Sequence, residues 1–312
     1  MTLSLTDEIR SKTRGLHSKL DKLVQLGLFA VLDYMVYRQI LLGFYFVFKT
    51  FEEEFQNQVQ KSPVNLQVLY AHSPELRRTE ALEADLAYFY GPDWKEKVKP
   101  TEQVQGYMVL EQQLHDSDIG NHNREFSPVY IISINHKDHI RDISKNKPEK
   151  LIAFPATLYL GIFFGGQIAK SKIVKATNFF PSPPEKKLGG ENDNGIAIFT
   201  FRERDPRTGS SSTGKKLDPN SVKNMLKNRL NSIPGMDDQT EEALATREAI
   251  VEEAKEIFVR NMDLITSAEG VWTVWVRWIF TLLLYVAVAV GVYQFAVLQF
   301  KGNGNSKQPS DL

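Results

Sequence analysis

The sequence predicts a mainly helical chain that ends in one membrane-spanning helix. Three observations carry that expectation. Leu151 to Ala169 is an uncharged run longer than any ordinary strand, and Lys170 to Lys175 continue it without a breaker. Trp278 to Phe300 contains no charged residue and is rich in Leu, Val, Ala, Tyr and Phe. Other segments show helical periodicity with clear stop signals, as at Thr79 to Tyr90 followed by Gly91-Pro92.

Composition narrows the function classes. A chain of 312 residues can bury a substantial core in one or two domains. Its 38 basic and 38 acidic residues balance, so no overall field favours nucleic acid, and none is expected as a partner. The absence of cysteine excludes disulfides, thiolate nucleophiles and cysteine-ligated metals, and suits a cytosol-facing protein. Met1 to Asp7 is short and polar, without the apolar core of a signal peptide.

The first helix opens near Ser4, with Ser4 and Asp7 spaced as a variant of the capping box. Ile9, Leu16, Leu20 and Leu23 fall on one side as a core stripe. Arg10, Arg14, His17 and Asp21 fall on another, at spacings of four, three and four. That face is either ordinary solvated surface or a ligand face. Two guanidiniums, an imidazole and a carboxylate in that order suit a ligand with acidic groups and a metal, the Asp21 carboxylate orienting the imidazole.

Phe29 to Phe55 reads as a long helix with an aromatic, core-packing middle and a solvated end at Glu52-Glu53-Glu54, broken by Ser62-Pro63. A further helix is expected over Thr101 to Leu114. His115 to Lys150 is polar and reads as a loop-like insertion with a short apolar piece at Val129 to Ile134. His136 and His139, three apart, lack further metal ligands at a telling spacing.

The Leu151–Ala169 run holds Gly161, Gly165 and Gly166. Each interior helical Gly costs roughly 1 kcal/mol relative to Ala, so something must offset about 2–3 kcal/mol. Gly161 and Gly165 share a face and leave the main chain bare and bendable there. Helix-on-helix packing, a membrane span, a buried core helix and a flat ligand all remain open at this point.

Pro181 to Pro184 and Pro206 to Asp218 are linker-like, and Gly195 to Phe201 between them is a short apolar island. Helix resumes at Asp218-Pro219, and Lys223 and Lys227 share a face. Phosphate or nucleic-acid binding there is a weak reading without interleaved aromatics. Glu241 to Ile265 is amphipathic and stops before Gly270. Trp278 to Phe300 covers the roughly 30 Å hydrocarbon layer with some tilt, with Trp272, Trp275 and Trp278 at one interface. A tail anchor in the lipid bilayer with the rest of the chain in the cytosol is expected. The organisation expected is 1–268 as the main domain, interrupted by polar insertions at about 115–150 and 176–220. A juxtamembrane linker at 269–277, the anchor at 278–300 and a polar tail at 301–312 complete it.

Taken together, these segments resemble the haem oxygenases, specifically the membrane-tethered eukaryotic kind. Thr13-Arg14-Gly15-Leu16-His17 is similar to the segment carrying the family's proximal histidine, and Glu80 to Pro92 is similar to its third-helix region. Tyr159-Leu160-Gly161 with Gly165-Gly166-Gln167 resembles the distal-helix signature. Gly195 to Phe201, Arg229 to Ser232, and Glu252 to Lys255 with Phe258 and Asn261 follow in the family's order.

The resemblance implies an all-α fold with haem b between a proximal and a distal helix. It implies His17 as axial iron ligand, Arg10 and Arg14 near the propionates, Lys223 and Lys227 opposite them, Asn261 as a binding residue, and Gly161 and Gly165 as the distal bend. The activity implied is opening of haem by molecular oxygen to biliverdin, iron and carbon monoxide. A membrane-bound NADPH-dependent flavin reductase would supply electrons, and an endoplasmic reticulum location follows by analogy. The sequence departs from the family where an aspartate commonly follows Tyr-Leu-Gly, since that position is Ile162. The family's tyrosine and arginine just upstream are Ala156 and Leu158. A haem-binding, haem-sensing or peroxidase-like protein that no longer opens the ring is the alternative these changes raise.

Overall fold

Aromatic and aliphatic residues recurring at helical spacing build the central helix of the fold, Tyr34–Lys61 (α2), which buries Val36, Tyr37, Ile40, Leu41, Tyr45, Phe48, Phe51 and Phe55. The computed structural model describes residues 3–19, 33–61, 74–98, 128–175, 193–204, 214–236 and 238–304. Among these, α1 spans Leu5–Lys12, α3 Thr79–Tyr90, α4 Trp94–Lys97, α5 Pro128–Asn146, α6 Gln167–Lys175, α7 Pro219–Asn231, α8 Glu241–Thr266 and α9 Val271–Gly304. No strand occurs among the described residues, only one isolated antiparallel bridge between Arg202 and Lys216. The all-α expectation holds.

Caps explain the boundaries. Ser4 accepts from the Asp7 amide, Asp218 from Ser221 and Thr240 from Ala243, each satisfying an amide that the first helical turn leaves without a partner. Gly91, at φ 95°, ends α3 where no side-chain-bearing residue fits easily. The helices expected from Asp218 and from Glu241 stand as read. The expected Thr101–Leu114 helix lies outside the described residues.

Two expectations are corrected. Residues 128–146 are not loop but α5, a helix packed on α2 and α8. Its inward positions are Val129, Ser133, His136, Ile140 and Ile143, spaced four, three, four and three. Two of those five are polar, which hid the apolar stripe. Nor is Glu52 part of a solvated helix end, because α2 runs on to Lys61. Glu52 accepts hydrogen bonds from the Arg78 amide (2.6 Å), the Thr79 hydroxyl (2.6 Å) and the Tyr159 hydroxyl (3.0 Å). One carboxylate thereby caps α3 and ties α2 to the Gly-rich segment.

That segment is not a uniform α-helix. A 3₁₀ turn over Pro148–Ile152 leads into π-turns at Pro155–Tyr159 and Ile162–Gly166 before α6 begins. Pro155 has no N–H to give, so the ladder must widen or break there. Residues 151–160 are all buried.

The chain divides into two compact units, Met1–Glu269 and Gly270–Leu312. In the second, α9 includes residues 271–277, so most of the expected linker is already helix. Trp272–Leu298 is long and apolar enough to cross a membrane. Pro148–Val174 passes the same test but is mostly buried within the first unit, as a core segment is.

Candidate functional site

Helices α7 and α8 carry the site. Each packs on α1, and each also packs on the π-turned segment. The N-terminal helix is fastened to them by Arg247 of α8. Arg247 is buried, pairs with Glu8, and donates to the carbonyls of Leu3 and Met236. The Thr6 amide adds a bond to Asn231 of α7 at 3.1 Å.

Beyond α1 the chain turns at Thr13 and is helical again over 14–19. Thr13 is buried, and its hydroxyl donates to the Ile9 carbonyl at 2.6 Å, a back-bond that bends helices. His17 is half-buried and meets the ring of Phe258 edge-on, with centroids 4.4 Å apart. Arg10 and Arg14 stay on the exposed side of their helix. Asp21, Leu20 and Leu23 lie outside the described residues. One turn beyond Phe258, Asn261 is buried and its side-chain oxygen has no hydrogen-bond partner.

On the Gly-rich segment, exposure begins at Gly161. Gly161, Phe164, Gly165 and Ile168 form one open strip, with Phe164 49% and Ile168 59% exposed. Ile162 and Phe163 face inward, and Phe163 stacks on Phe201 at 4.2 Å. A Cβ added at Gly161 or Gly165 would find no atom of the described residues within 4 Å. Elsewhere the chain uses glycine for close packing: at Gly43 the same atom would lie 2.7 Å from Val129. Backbone conformation does not demand glycine at the strip either. Gly161 is helical at φ −58°, and Gly165 is not among the positive-φ residues. Neither contacts within the chain nor φ explains these two glycines.

Lysine from α7 borders the strip. The Lys223 ammonium lies 5.3 Å over the Phe164 ring and donates to Asn220 at 2.8 Å. Lys227, one turn on, is half-buried. The structure therefore joins His17 to Phe258 of α8, and Lys223 to the glycine strip.

Sequence reading missed the supports behind the strip. Asp85 of α3 is fully buried and accepts from the amides of Ala197 (2.7 Å) and Ile198 (2.9 Å). Burial pushes its carboxyl up to about 8, against the pull of those two donors. Arg78 is buried with its guanidinium 4.1 Å from the Phe201 ring centroid. Burial and the Glu52 carboxylate hold the Tyr159 phenol far above its ordinary range. An Arg just before a helix N-terminus carried no signal of burial. The Asp85 position was visible only as one acid in an otherwise apolar helix.

The two α5 histidines go separate ways. His139 bonds the buried Glu253 at 2.7 Å, and Lys150 bonds the same carboxylate at 3.1 Å. His136 is fully buried with no hydrogen-bond partner for either ring nitrogen among the described residues, and burial lowers it to about 3.

Comparison with known proteins places the chain in a family. The family model described as heme oxygenase matches residues 3–119 and 123–267. Heme oxygenase 1 of Synechocystis is 27% identical over 272 residues, covering 86% of this chain and 87% of that protein. Human heme oxygenase 1 is 28% identical over 237 residues, 76% of this chain and 61% of the human one. Among solved structures, heme oxygenase-1 from Synechocystis in complex with heme superposes with a TM-score of 0.59. It is 25% identical to this chain, and the match covers 95% of this chain and all of that one. Heme oxygenase 2 from Chlamydomonas reinhardtii, solved without heme, shares the fold with a TM-score of 0.58 at 19% identity. With the helical order, the His17 segment and the bare glycine strip already in place, the match across both halves of the globular unit shows that this chain belongs to the heme oxygenase family.

Proposed function

We propose that the chain binds haem between the His17 segment and the glycine strip and opens it, with oxygen and electrons, to biliverdin, iron and carbon monoxide. The observation that carries this reading is the strip itself: two helical glycines that neither packing nor φ requires, opening onto free space. A flat molecule lying against the main chain accounts for both, and the heme complex of the Synechocystis relative supplies the molecule. Haem is the substrate and brings the iron at which oxygen binds.

The residues fit that ligand. His17 supplies an imidazole, which as a neutral ligand lacks the electron push of a thiolate. Phe258 holds its ring edge-on and so fixes its orientation. Arg10 and Arg14 on one side and Lys223 and Lys227 on the other would hold the propionates and set the in-plane rotation. Asn261 offers a buried oxygen with no hydrogen-bond partner among the described residues. Ile162 and Phe163 close the inner side of the distal segment against water. The apolar α9 would anchor the protein in the endoplasmic reticulum membrane beside a flavin reductase supplying electrons from NADPH.

Haemin titration of the full-length protein in detergent tests the reading. A one-to-one complex whose absorbance spectrum changes in His17→Ala is expected, with biliverdin and carbon monoxide formed under oxygen and reductant. An unchanged spectrum in His17→Ala would remove the axial assignment.

Ile162 favours a second reading. Its side chain is 7% exposed and cannot accept or relay a proton where the family commonly has an acid. A haem-holding, haem-sensing or peroxidase-like protein would follow. Haem surviving repeated reduction cycles without carbon monoxide would support it. Ring opening gained in Ile162→Asp would trace the loss to this one residue.

A further inference from the structure

The apolar island at 195–201 is held on two sides by unrelated sets of bonds. Towards α2 and α3, the Tyr37 hydroxyl donates to the Gly195 carbonyl at 3.1 Å, and Asp85 takes the two amides described above. Arg78 donates to the Thr200 carbonyl at 2.7 Å. Towards the distal segment, the Gln167 side chain donates to the Phe199 carbonyl at 2.9 Å, and the Lys170 ammonium to the Thr200 hydroxyl at 2.8 Å. A Cβ on Gly166 would lie 3.1 Å from the Phe199 ring, so the two surfaces are in close contact there.

A short segment with few bonds of its own is an unusual place to spend a buried carboxylate. Here both oxygens of the buried side chain face consecutive amides of a single 3₁₀ turn, Ala197–Phe199. That geometry fixes the turn in both position and rotation. The turn's last carbonyl in turn fixes Gln167, the residue that follows the two glycine positions Gly165 and Gly166. The Glu52–Tyr159 bond ties α2 to the segment just ahead of the strip, and the 195–201 segment is the splint that ties α3 to Gln167 at its other end.

We propose that Asp85 is a positioning residue for the distal strip, acting through the Ala197–Phe199 turn and Gln167. The proposal rests on the reading of that strip as the haem-binding face. Its consequence is that the C-terminal end of the Gly161–Gly165 main chain is held over the ligand from α3, through the splint, while Glu52 and Tyr159 hold the end that precedes Gly161.

Hydrogen–deuterium exchange on the haem-free, full-length protein in detergent tests this without any ligand. In Asp85→Asn, which keeps the shape but sets an NH2 group against one of the two amides, peptides covering 161–169 should exchange at least tenfold faster. Peptides from α5 and α8 should keep their rates. Gln167→Ala cuts only the last link. It should reproduce the faster exchange at 161–169 while leaving 193–204 protected, and it keeps the test available if Asp85→Asn fails to fold. The double variant should add nothing to the faster single one, and haemin should leave both singles for apomyoglobin severalfold faster than it leaves the parent protein. Acceleration confined to 193–204, equal acceleration of every segment, or an unchanged 161–169 in Gln167→Ala would each overturn the proposal. Failure of the parent protein to bind haemin would instead remove the haem reading and leave the exchange result standing.

Discussion

Replacing Gly161 by Ala should move folding and ligand binding in opposite directions. Gly161 has helical φ and ψ of −58° and −42°, and its added methyl would meet no atom within 4 Å. In the haem-free protein the substitution removes the conformational freedom that glycine gives the unfolded chain, and so stabilises by about 0.5–1 kcal/mol. For a unit of this size that raises the unfolding midpoint by roughly 2 °C. With haemin the same methyl occupies the space in which a flat ligand touches the main chain. Overpacking of this kind costs about 1–3 kcal/mol, or roughly 5- to 150-fold in affinity. Thermal unfolding of the haem-free protein and haemin transfer to apomyoglobin measure the two effects separately. A higher midpoint with unchanged haemin affinity would show that the ligand lies elsewhere. A lower midpoint would mean that the chain itself fills the space, and the inference from the bare glycines would fail.

Two further outcomes follow from buried charge. His136 is held near 3 by burial, against an ordinary value of 6.5, so below pH 6.5 the unfolded chain takes up a proton that the folded one refuses. Stability is therefore complete above pH 6.5 and falls by up to about 1.4 kcal/mol per pH unit as the pH drops towards 3. His136→Leu should flatten that acid limb in urea melts at pH 4 and 7 without loss at pH 7, and an unaltered limb would contradict the assignment. Arg247→Ala leaves Glu8 without its partner and frees the Leu3 and Met236 carbonyls. The loss should be about 2–4 kcal/mol, below the full buried-pair range because Glu8 is 27% exposed. Because Arg247 fastens the helix that leads to His17, haemin affinity should fall with it, and a fall in stability alone would separate the fastening from the site.

What could be read from the residues, and what could not, divides along physical lines. Ser4 and Asp218 announce their helices because capping is a local interaction between neighbours in sequence. Gly161 and Gly165 announced themselves by cost, since three glycines in one helical run need an external cause. Helix α5 was hidden because His136 and Ser133 fill inward positions that pattern reading reserves for apolar residues. Glu52 looked solvated beside Glu53 and Glu54. Only the distant Arg78, Thr79 and Tyr159 make it a half-buried cap, and no local rule brings those together. The splint at 195–201 was legible as apolar and illegible as a connector, because its partners Asp85, Arg78 and Gln167 come from three separate stretches of chain.

The two π-turns, one ahead of the strip and one within it, give the segment an arithmetic of its own. Each π-turn accommodates one residue more than an α-helical turn, and one residue is about 100° of rotation about the axis. Removing a single residue between Pro155 and Tyr159 would let the first turn close as ordinary helix. It would swing Gly161 and Gly165 off the open side while the buried residues upstream stayed where they are. The direction in which the bare face looks is thus a matter of chain length as much as of residue type. A one-residue deletion there should abolish haemin binding more completely than any substitution on the strip, and a compensating insertion just before Gly161 should restore it.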